Sequence, residues 1–405
     1  MKKLHLLVGL TILLWGTTVA VGQDRFGFAQ CNPCEPVVDP CDPCGGKSGL
    51  FSALSFGGWV ETGVYINGNG GKSDNGPVHT SSVRRTDFAL TQLYFYGEKE
   101  MDTRRGFDWG ARADFVYGTH AGSMQCYDGT FDAGWGENRH GYAMSVYNLY
   151  GSLGYKDLSV KVGKFTGLVG WESSASKDNF FYSRSLCYWI EPATHMGVLA
   201  TYNLTDRLSI DAGWTTGTDT SFKNPDNGQS VLTGFTYALT DNANVYYYFN
   251  GGKQNNFFGL DDKRYNYFVQ SLCYEWTPTK RFTYVFQYNL INGNERDDTG
   301  RPSAYGVNNH FLYELTDQWS AGMRFGWVRD NGGYFDDGLG PYLGDFYEVT
   351  LGLNWNPWEN VSIRPEVRYD WFKGAGTPFG GSQWLDTPGT RKDQVSAGCG
   401  LVVSF

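Results

Sequence analysis

The 405-residue chain sets 33 Lys and Arg against 42 Asp and Glu, a net charge of −9, and holds 54 glycines, 17% aromatic and only 19% charged residues. No basic run is present to neutralise a row of phosphates, which excludes nucleic acid as the partner. So much aromatic and glycine content at a mean hydropathy of −0.41 is unusual for a helical enzyme and fits a barrel with a wet lumen and aromatic girdles.

Lys2 and Lys3 precede the apolar run Leu4 to Trp15, and Thr18-Val19-Ala20 or Ala20-Val21-Gly22 supplies small residues for cleavage. Residues 1–22 therefore read as an export signal, too short to span a bilayer as a helix. Cys31 follows Phe28-Ala29-Gln30 rather than a small-residue lipobox, so no lipid anchor is expected. Residues 23–50 carry Cys31-Asn-Pro-Cys34 and Cys41-Asp-Pro-Cys44 and read as a stapled periplasmic linker. Disulfides are the first reading in an oxidising compartment and structural zinc the second; no other cofactor is expected.

Residues 51–405 read as one all-β domain, a transmembrane antiparallel up-and-down β-barrel of about 16 strands. The predicted strands are 54–67, 88–99, 106–118, 144–155, 158–165, 193–204, 207–217, 229–239, 243–251, 265–276, 280–292, 303–315, 318–329, 345–356, 361–373 and 393–405. Connections alternate short and long. Three of the short turns are nearly copies: Leu204-Thr205-Asp206, Leu239-Thr240-Asp241 and Leu315-Thr316-Asp317. Others are Lys156-Asp157, Thr277-Pro278-Thr279 and Asn356 to Glu359. An even strand count places both barrel ends on the short-turn, periplasmic side.

Side-chain parity supplies an independent argument. In the fifteenth run, Val361, Ile363, Val367, Tyr369 and Trp371 alternate with Ser362, Arg364, Glu366, Arg368 and Asp370. The third (Phe107, Trp109, Ala113, Phe115 against Asp108, Arg112, Asp114) and seventh (Leu208, Ile210, Trp214 against Ser209, Asp211) behave alike. An aromatic face opposite a charged one needs an apolar solvent outside, and lipid is the simplest candidate. Trp276, Trp319, Trp355, Trp358 and Tyr155 near strand ends fit an interfacial belt. Runs two, four and ten give no firm facing. The last run, Asp393 to Phe405, sets Val395, Ala397, Cys399, Leu401, Val403 and Phe405 against Ser396, Gly398, Gly400 and Ser404. It is expected to close the barrel on the first strand, with Phe405 as an assembly signal.

Gly57 to Gly63 (G-G-W-V-E-T-G), Tyr94 to Tyr117, and Phe180-Phe181-Tyr182-Ser183-Arg184 leading to Pro192-Ala193-Thr194-His195-Met196-Gly197 resemble the OmpL-like β-barrel porin-2 family of bacterial outer-membrane proteins. The resemblance covers about residue 54 to the end and implies an outer-membrane diffusion channel. In sixteen-stranded porins the third extracellular loop folds inward, and here the third long connection, Thr166 to Pro192, has that place.

This loop carries Glu172, Asp178 and Glu191 as acids, Lys177 and Arg184 as bases, and Phe180, Phe181, Tyr182, Tyr188 and Trp189 to pack against a wall. Arg112, Lys161, Arg324, Arg364 and Arg368 on lumen faces are expected to complete a transverse field across the constriction. The plainer alternative is that these charges pair along the wall, as Arg364, Glu366, Arg368 and Asp370 can. Cys126 and Cys187 in the second and third long connections are candidates for a loop-tethering disulfide; Cys273 and Cys399 read as small partly buried residues. The acidic stretches at Glu295 to Asp298 and Asp330 to Gly340 lack calcium-loop spacing. Gly46-Lys47-Ser48 and Gly71-Lys72-Ser73 lack the upstream glycine of a phosphate loop. No hydrolase motif occurs, and His310 with Glu314 is the nearest approach to a catalytic pair.

The expected function is a water-filled porin for passive diffusion of small hydrophilic solutes, not an enzyme, with outer-membrane lipid, the barrel-assembly machinery and two further copies in a homotrimer as partners. A structural or adhesive surface barrel with a plugged lumen is the alternative, and a barrel-embedded hydrolase stands third.

Overall fold

The computed structural model describes residues 54–70, 73–76, 86–127, 131–138, 140–222, 227–255, 264–293, 303–335, 342–382 and 385–405. The export signal, the four linker cysteines and Glu295 to Asp298 lie outside the described residues.

Sixteen strands follow one another: β1 (Ser55–Asn67), β2 (Asp87–Lys99), β3 (Phe107–Gly118), β4 (Ala143–Tyr155), β5 (Leu158–Thr166), β6 (Thr194–Thr205), β7 (Leu208–Thr218), β8 (Gln229–Thr240), β9 (Ala243–Asn255), β10 (Arg264–Thr279), β11 (Phe282–Asn292), β12 (Ala304–Glu314), β13 (Trp319–Asp330), β14 (Gly344–Trp358), β15 (Val361–Gly374) and β16 (Asp393–Ser404). Each pairs with its chain neighbours, and β16 pairs antiparallel with β1 from Trp59↔Ser404 to Asn67↔Ser396, closing the barrel. Closure leaves no edge whose peptide groups need a partner, the requirement for strands in an apolar solvent.

The short turns share one device. Thr205 Oγ1 accepts from the amides of Arg207 (3.2 Å) and Leu208 (3.0 Å), and Thr316 Oγ1 from Gln318 (3.3 Å) and Trp319 (3.1 Å). Thr279 does the same for Arg281 (3.3 Å) and Phe282 (3.2 Å). A threonine hydroxyl thus satisfies amides that the tight reversal leaves without ladder partners. Two expected turns become strand: β10 runs on to Thr279 and β14 to Trp358, with register shifts between Trp276 and Thr279 and between Trp355 and Trp358.

Burial alternates as expected along β3, β7, β15 and β16, with Phe107, Phe115, Trp214, Val367, Tyr369 and Val395 exposed and Asp114, Asp211, Arg364, Arg368 and Ser396 buried. The unclear runs have physical causes. A bulge between Glu61 and Thr62 of β1 shifts the β2 register, and one between Ala113 and Phe115 of β3 shifts β4. A bulge adds one residue to one strand and breaks period-two patterning. In β10 the inward residues Tyr267, Val269 and Cys273 are themselves apolar and buried, because that wall is covered from within by the third loop.

Candidate functional site

The third loop leaves β5 at Thr166, crosses the barrel and returns to β6 at Thr194. Its far contacts lie on β13 to β16 and β1, from half-way round the ring at β13 to a quarter of it at β1, counted from β5. Three consecutive aromatic residues are seated where the wall has no side chain. A Cβ on Gly322 of β13 would come within 2.4 Å of the Phe180 ring, and one on Gly352 of β14 within 3.0 Å of Phe181. Tyr182 fills a hollow made by Gly63, Gly398 and Gly400: a Cβ on Gly63 or Gly400 would stand 2.5–2.6 Å from its ring or hydroxyl, and one on Gly398 3.2 Å from its ring. The small inward residues of β16 therefore accommodate a packed neighbour.

Around these rings the loop backbone is tied to wall charges. Arg324 of β13 donates to Glu172 Oε1 at 2.9 Å, the Ser183 carbonyl at 2.8 Å and Glu348 Oε2 of β14 at 3.1 Å. Glu366 of β15 accepts from the amide of Tyr182 at 2.9 Å, and Glu348 from that of Leu186 at 3.2 Å. Arg368 donates to the Arg184 carbonyl at 2.6 Å and pairs with Asp370 at 2.7 Å and Glu348 at 2.7 Å. Arg364 donates to the carbonyls of Ser176 and Asn179, both at 2.8 Å, and reaches across β16 to Glu61 of β1. Arg324, Arg368 and Glu348 are 0% exposed, so each charge depends on its partners rather than on water. Burial pushes the Glu172 carboxyl up, but the Arg324 guanidinium, with weaker help from the hydrogen bond to Ser185 and from Arg184 among other neighbours, outweighs it and holds the group below the usual range.

On the β2 side, Gln92 donates to the Ser174 carbonyl (2.6 Å) and accepts from the Ser176 amide (3.0 Å) and Trp59 Nε1 (3.0 Å). Trp171 Nε1 donates to Glu275 of β10 at 3.0 Å, and Glu191 accepts from Gln287 and Asn289 of β11. The loop is thereby fixed on three sides. A cavity of about 440 Å³ lies open beside β1 to β5, lined by Trp59, Tyr96, Glu98, Arg112, Lys161 and Lys177 among others. Its cations lie over aromatic rings: Arg112 4.8 Å from Tyr96, Lys161 4.5 Å from Tyr150, and Lys177 5.5 Å from Trp59. Arg112 also bonds Glu98 at 2.9 Å and Asp114 at 2.8 Å, and Lys177 bonds Asp178 at 2.5 Å.

The family model "Putative beta-barrel porin-2, OmpL-like" matches residues 53–405. The chain belongs to this family. Among solved structures, the porin is similar to OprB of Pseudomonas putida at 12% identity, covering 88% of this chain and 95% of that one with a TM-score of 0.57. It is also similar to the outer-membrane channel DcaP of Acinetobacter baumannii (9% identity, 87% and 97% covered, TM-score 0.55). The trimer form of Vibrio cholerae OmpT gives 12% identity, 87% and 99% coverage and a TM-score of 0.54. At these identities the likeness concerns the fold. No curated protein matches the sequence.

The porin is an outer-membrane channel protein, and its exposed aromatic face is the lipid face. Of the residues expected to form a transverse field, Arg112, Lys161 and Asp178 line the open cavity. Glu172, Arg184, Arg324, Arg364 and Arg368 instead are buried between loop and wall, with Glu191 half-buried beside them. The correction has a simple cause: the loop backbone supplies carbonyls and amides that draw the β13 and β15 charges out of the water path. Pairing along the wall holds for Arg368 with Asp370, whereas Arg364 pairs across β16 with Glu61.

The Cys126–Cys187 tether is also corrected. Cys187 keeps a free thiol, buried with the loop against β11, where its carbonyl accepts from Asn289 at 3.3 Å. Cys126 lies instead beside β7 and donates to the Thr220 carbonyl at 3.4 Å. His310 is buried against Trp171, with ring centroids 4.7 Å apart, and hydrogen-bonds Asn308 at 2.7 Å. The sequence reading missed Glu348 and Gln92. Parity with Phe346 and Thr350 places Glu348 on the inward face of β14; for Gln92 the neighbouring bulge removed that signal.

Proposed function

We propose that the porin passes small hydrophilic solutes by passive diffusion, with the third loop (166–192) setting the constriction and no chemical step involved. The observation that carries this is the cavity left between the loop and β1 to β5, whose wall carries charged side chains while the loop packs against an apolar cluster on the other side of the barrel. Arg112, Lys161, Glu98, Glu100 and Asp178 would meet a passing solute, and both signs of charge there favour hydrated, dipolar cargo. Reconstituted into planar bilayers, the folded protein is expected to give stepwise conductance whose reversal potential depends on salt. A correctly folded barrel that stays silent overturns the proposal.

The complete burial of Arg324 and Arg368 favours a second reading, a plugged surface barrel whose loops bind partners. Absence of solute flux together with loop labelling on whole cells would select it. The trimer form of Vibrio cholerae OmpT supports three copies as the working assembly, for which light scattering of the detergent-solubilised protein is the measurement. Removal of residues 1–22 on export, recognition of Phe405 by the assembly machinery, and disulfides rather than zinc in the linker complete the proposal. N-terminal sequencing and non-reducing peptide mapping test the first and last.

A further inference from the structure

Six charged side chains line the cavity between the third loop and β1 to β5: Glu98, Glu100, Arg112, Lys161, Lys177 and Asp178. Four of them pair within the set, Arg112 with Glu98 at 2.9 Å and Lys177 with Asp178 at 2.5 Å. One of each sign is left. Glu100, which follows the last residue of β2, bonds only through its backbone carbonyl, to Lys99 at 3.3 Å, and its exposed carboxylate makes no ion pair among the described residues. Lys161 of β5 makes none either; its ammonium lies 4.5 Å from the centre of the Tyr150 ring and 5.7 Å from that of Phe165. Two carboxylates attract Lys161 from a distance. Glu98 is held by Arg112, and Asp211 of β7, outside the cavity lining, accepts from Thr201 and from Tyr248 at 2.7 Å. Neither touches the ammonium, so its N–H groups stay open to a solute.

The strand register holds the two charges apart. Lys161 pairs with Ser152 of β4 and Ser152 with Gly110 of β3, while Glu98 pairs with Arg112 across β2 and β3. Glu100 therefore stands on the β2 side of the cavity and Lys161 on the β5 side, three inter-strand spacings or about 14 Å apart at the backbone. Both side chains line the cavity from there, which shortens the gap between carboxylate and ammonium. Asp114 also holds Arg112, at 2.8 Å, so the β2–β3 side carries an excess of negative charge. The cavity thus has an acidic wall facing a basic one.

We infer that the preferred cargo is a zwitterion of amino-acid or dipeptide size, whose carboxylate meets Lys161 and whose ammonium meets Glu100. This rests on the channel reading above and names the solute class. A purely anionic solute is drawn to Lys161 but repelled by Glu98 and Glu100, a purely cationic one is repelled by Lys161, and an uncharged sugar gains from neither charge. Only a molecule with both signs satisfies the two walls at once. A cavity of about 440 Å³ has room for such a molecule.

Liposome swelling with the purified barrel tests it, dialanine being set against arabinose, an uncharged sugar of similar size. The wild-type rate for dialanine is expected to exceed that for arabinose by about threefold, the effect of one solvent-exposed ion pair. Lys161→Gln and Glu100→Gln should each bring the ratio close to one. In planar bilayers the two variants should also move the salt reversal potential in opposite directions, Lys161→Gln towards cations and Glu100→Gln towards anions, which a packing defect would not do. A conducting wild-type channel with equal rates for the two solutes, or variants that leave ratio and reversal potential in place, overturns the inference alone. A barrel silent to ions and to both solutes overturns the channel reading and this inference with it.

Discussion

Arg324→Met is expected to leave the barrel assembled but to release the third loop, raising single-channel conductance and exposing residues 166–192 to protease. The change removes donors from Glu172, the Ser183 carbonyl and Glu348 at once. Glu348 keeps Arg368 at 2.7 Å, whereas Glu172 keeps the Ser185 amide as a hydrogen bond and only the weaker attraction of charges such as Arg184. Breaking a buried pair on one side costs about 3–5 kcal/mol. Held by sixteen strands, the wall absorbs little of this, and the strain falls on the loop. Glu172→Gln in the same chain removes the orphaned charge and is expected to restore most protease resistance, which a general packing defect would not allow. The Glu172 carboxyl lies below its ordinary value in the folded state, so its stabilising contribution is present above the unfolded value of about 4.3 and lost as pH falls through the lower folded value. Acidification to pH 5 should therefore leave the wild-type loop latched. Unchanged conductance and unchanged proteolysis in Arg324→Met would defeat the latch.

The barrel was legible because lipid on one side and water on the other impose a period of two that few other environments sustain. β15 shows it in full, with Arg364, Glu366, Arg368 and Asp370 inward against Val367 and Tyr369 outward. Where the lumen is dry the contrast fades: Val285, Ile291, Leu312 and Val328 point inward from β11 to β13 and are buried beneath the loop. The loop was found by its length, but parity assigns a side chain only to a face. Whether Arg368 meets water or the Arg184 carbonyl depends on where a loop distant in sequence comes to rest. Gly63, Gly322, Gly398 and Gly400 carried that information as empty seats, and their meaning appears only when Phe180 and Tyr182 occupy them.

Deleting Phe405 is expected to reduce the folded, membrane-inserted protein severalfold while the molecules that do assemble keep wild-type conductance. The terminal residue closes the ring: Phe405 N donates to the Gly58 carbonyl and Gly58 N to the Phe405 carbonyl, both at 2.9 Å. Its ring lies on the lipid side against Phe95, with centroids 5.5 Å apart, and directly over Gly58, where a Cβ would come within 2.9 Å of it. Removal takes away the last rung of the β1–β16 seam and an exposed aromatic anchor, but no group that faces the open cavity. Gly58→Val tests the seat from the opposite strand. Its side chain would meet the Tyr94 carbonyl at 2.2 Å as well as the ring, so it is expected to lower assembly comparably with Phe405 still present. Phe405→Trp keeps an aromatic anchor and should retain most of the yield, whereas Phe405→Ala should resemble the deletion. Heat-modifiable migration on gels measures the folded fraction, and planar bilayers measure what survives. Normal outer-membrane levels of the truncated protein would show that the seam closes without its terminal ring.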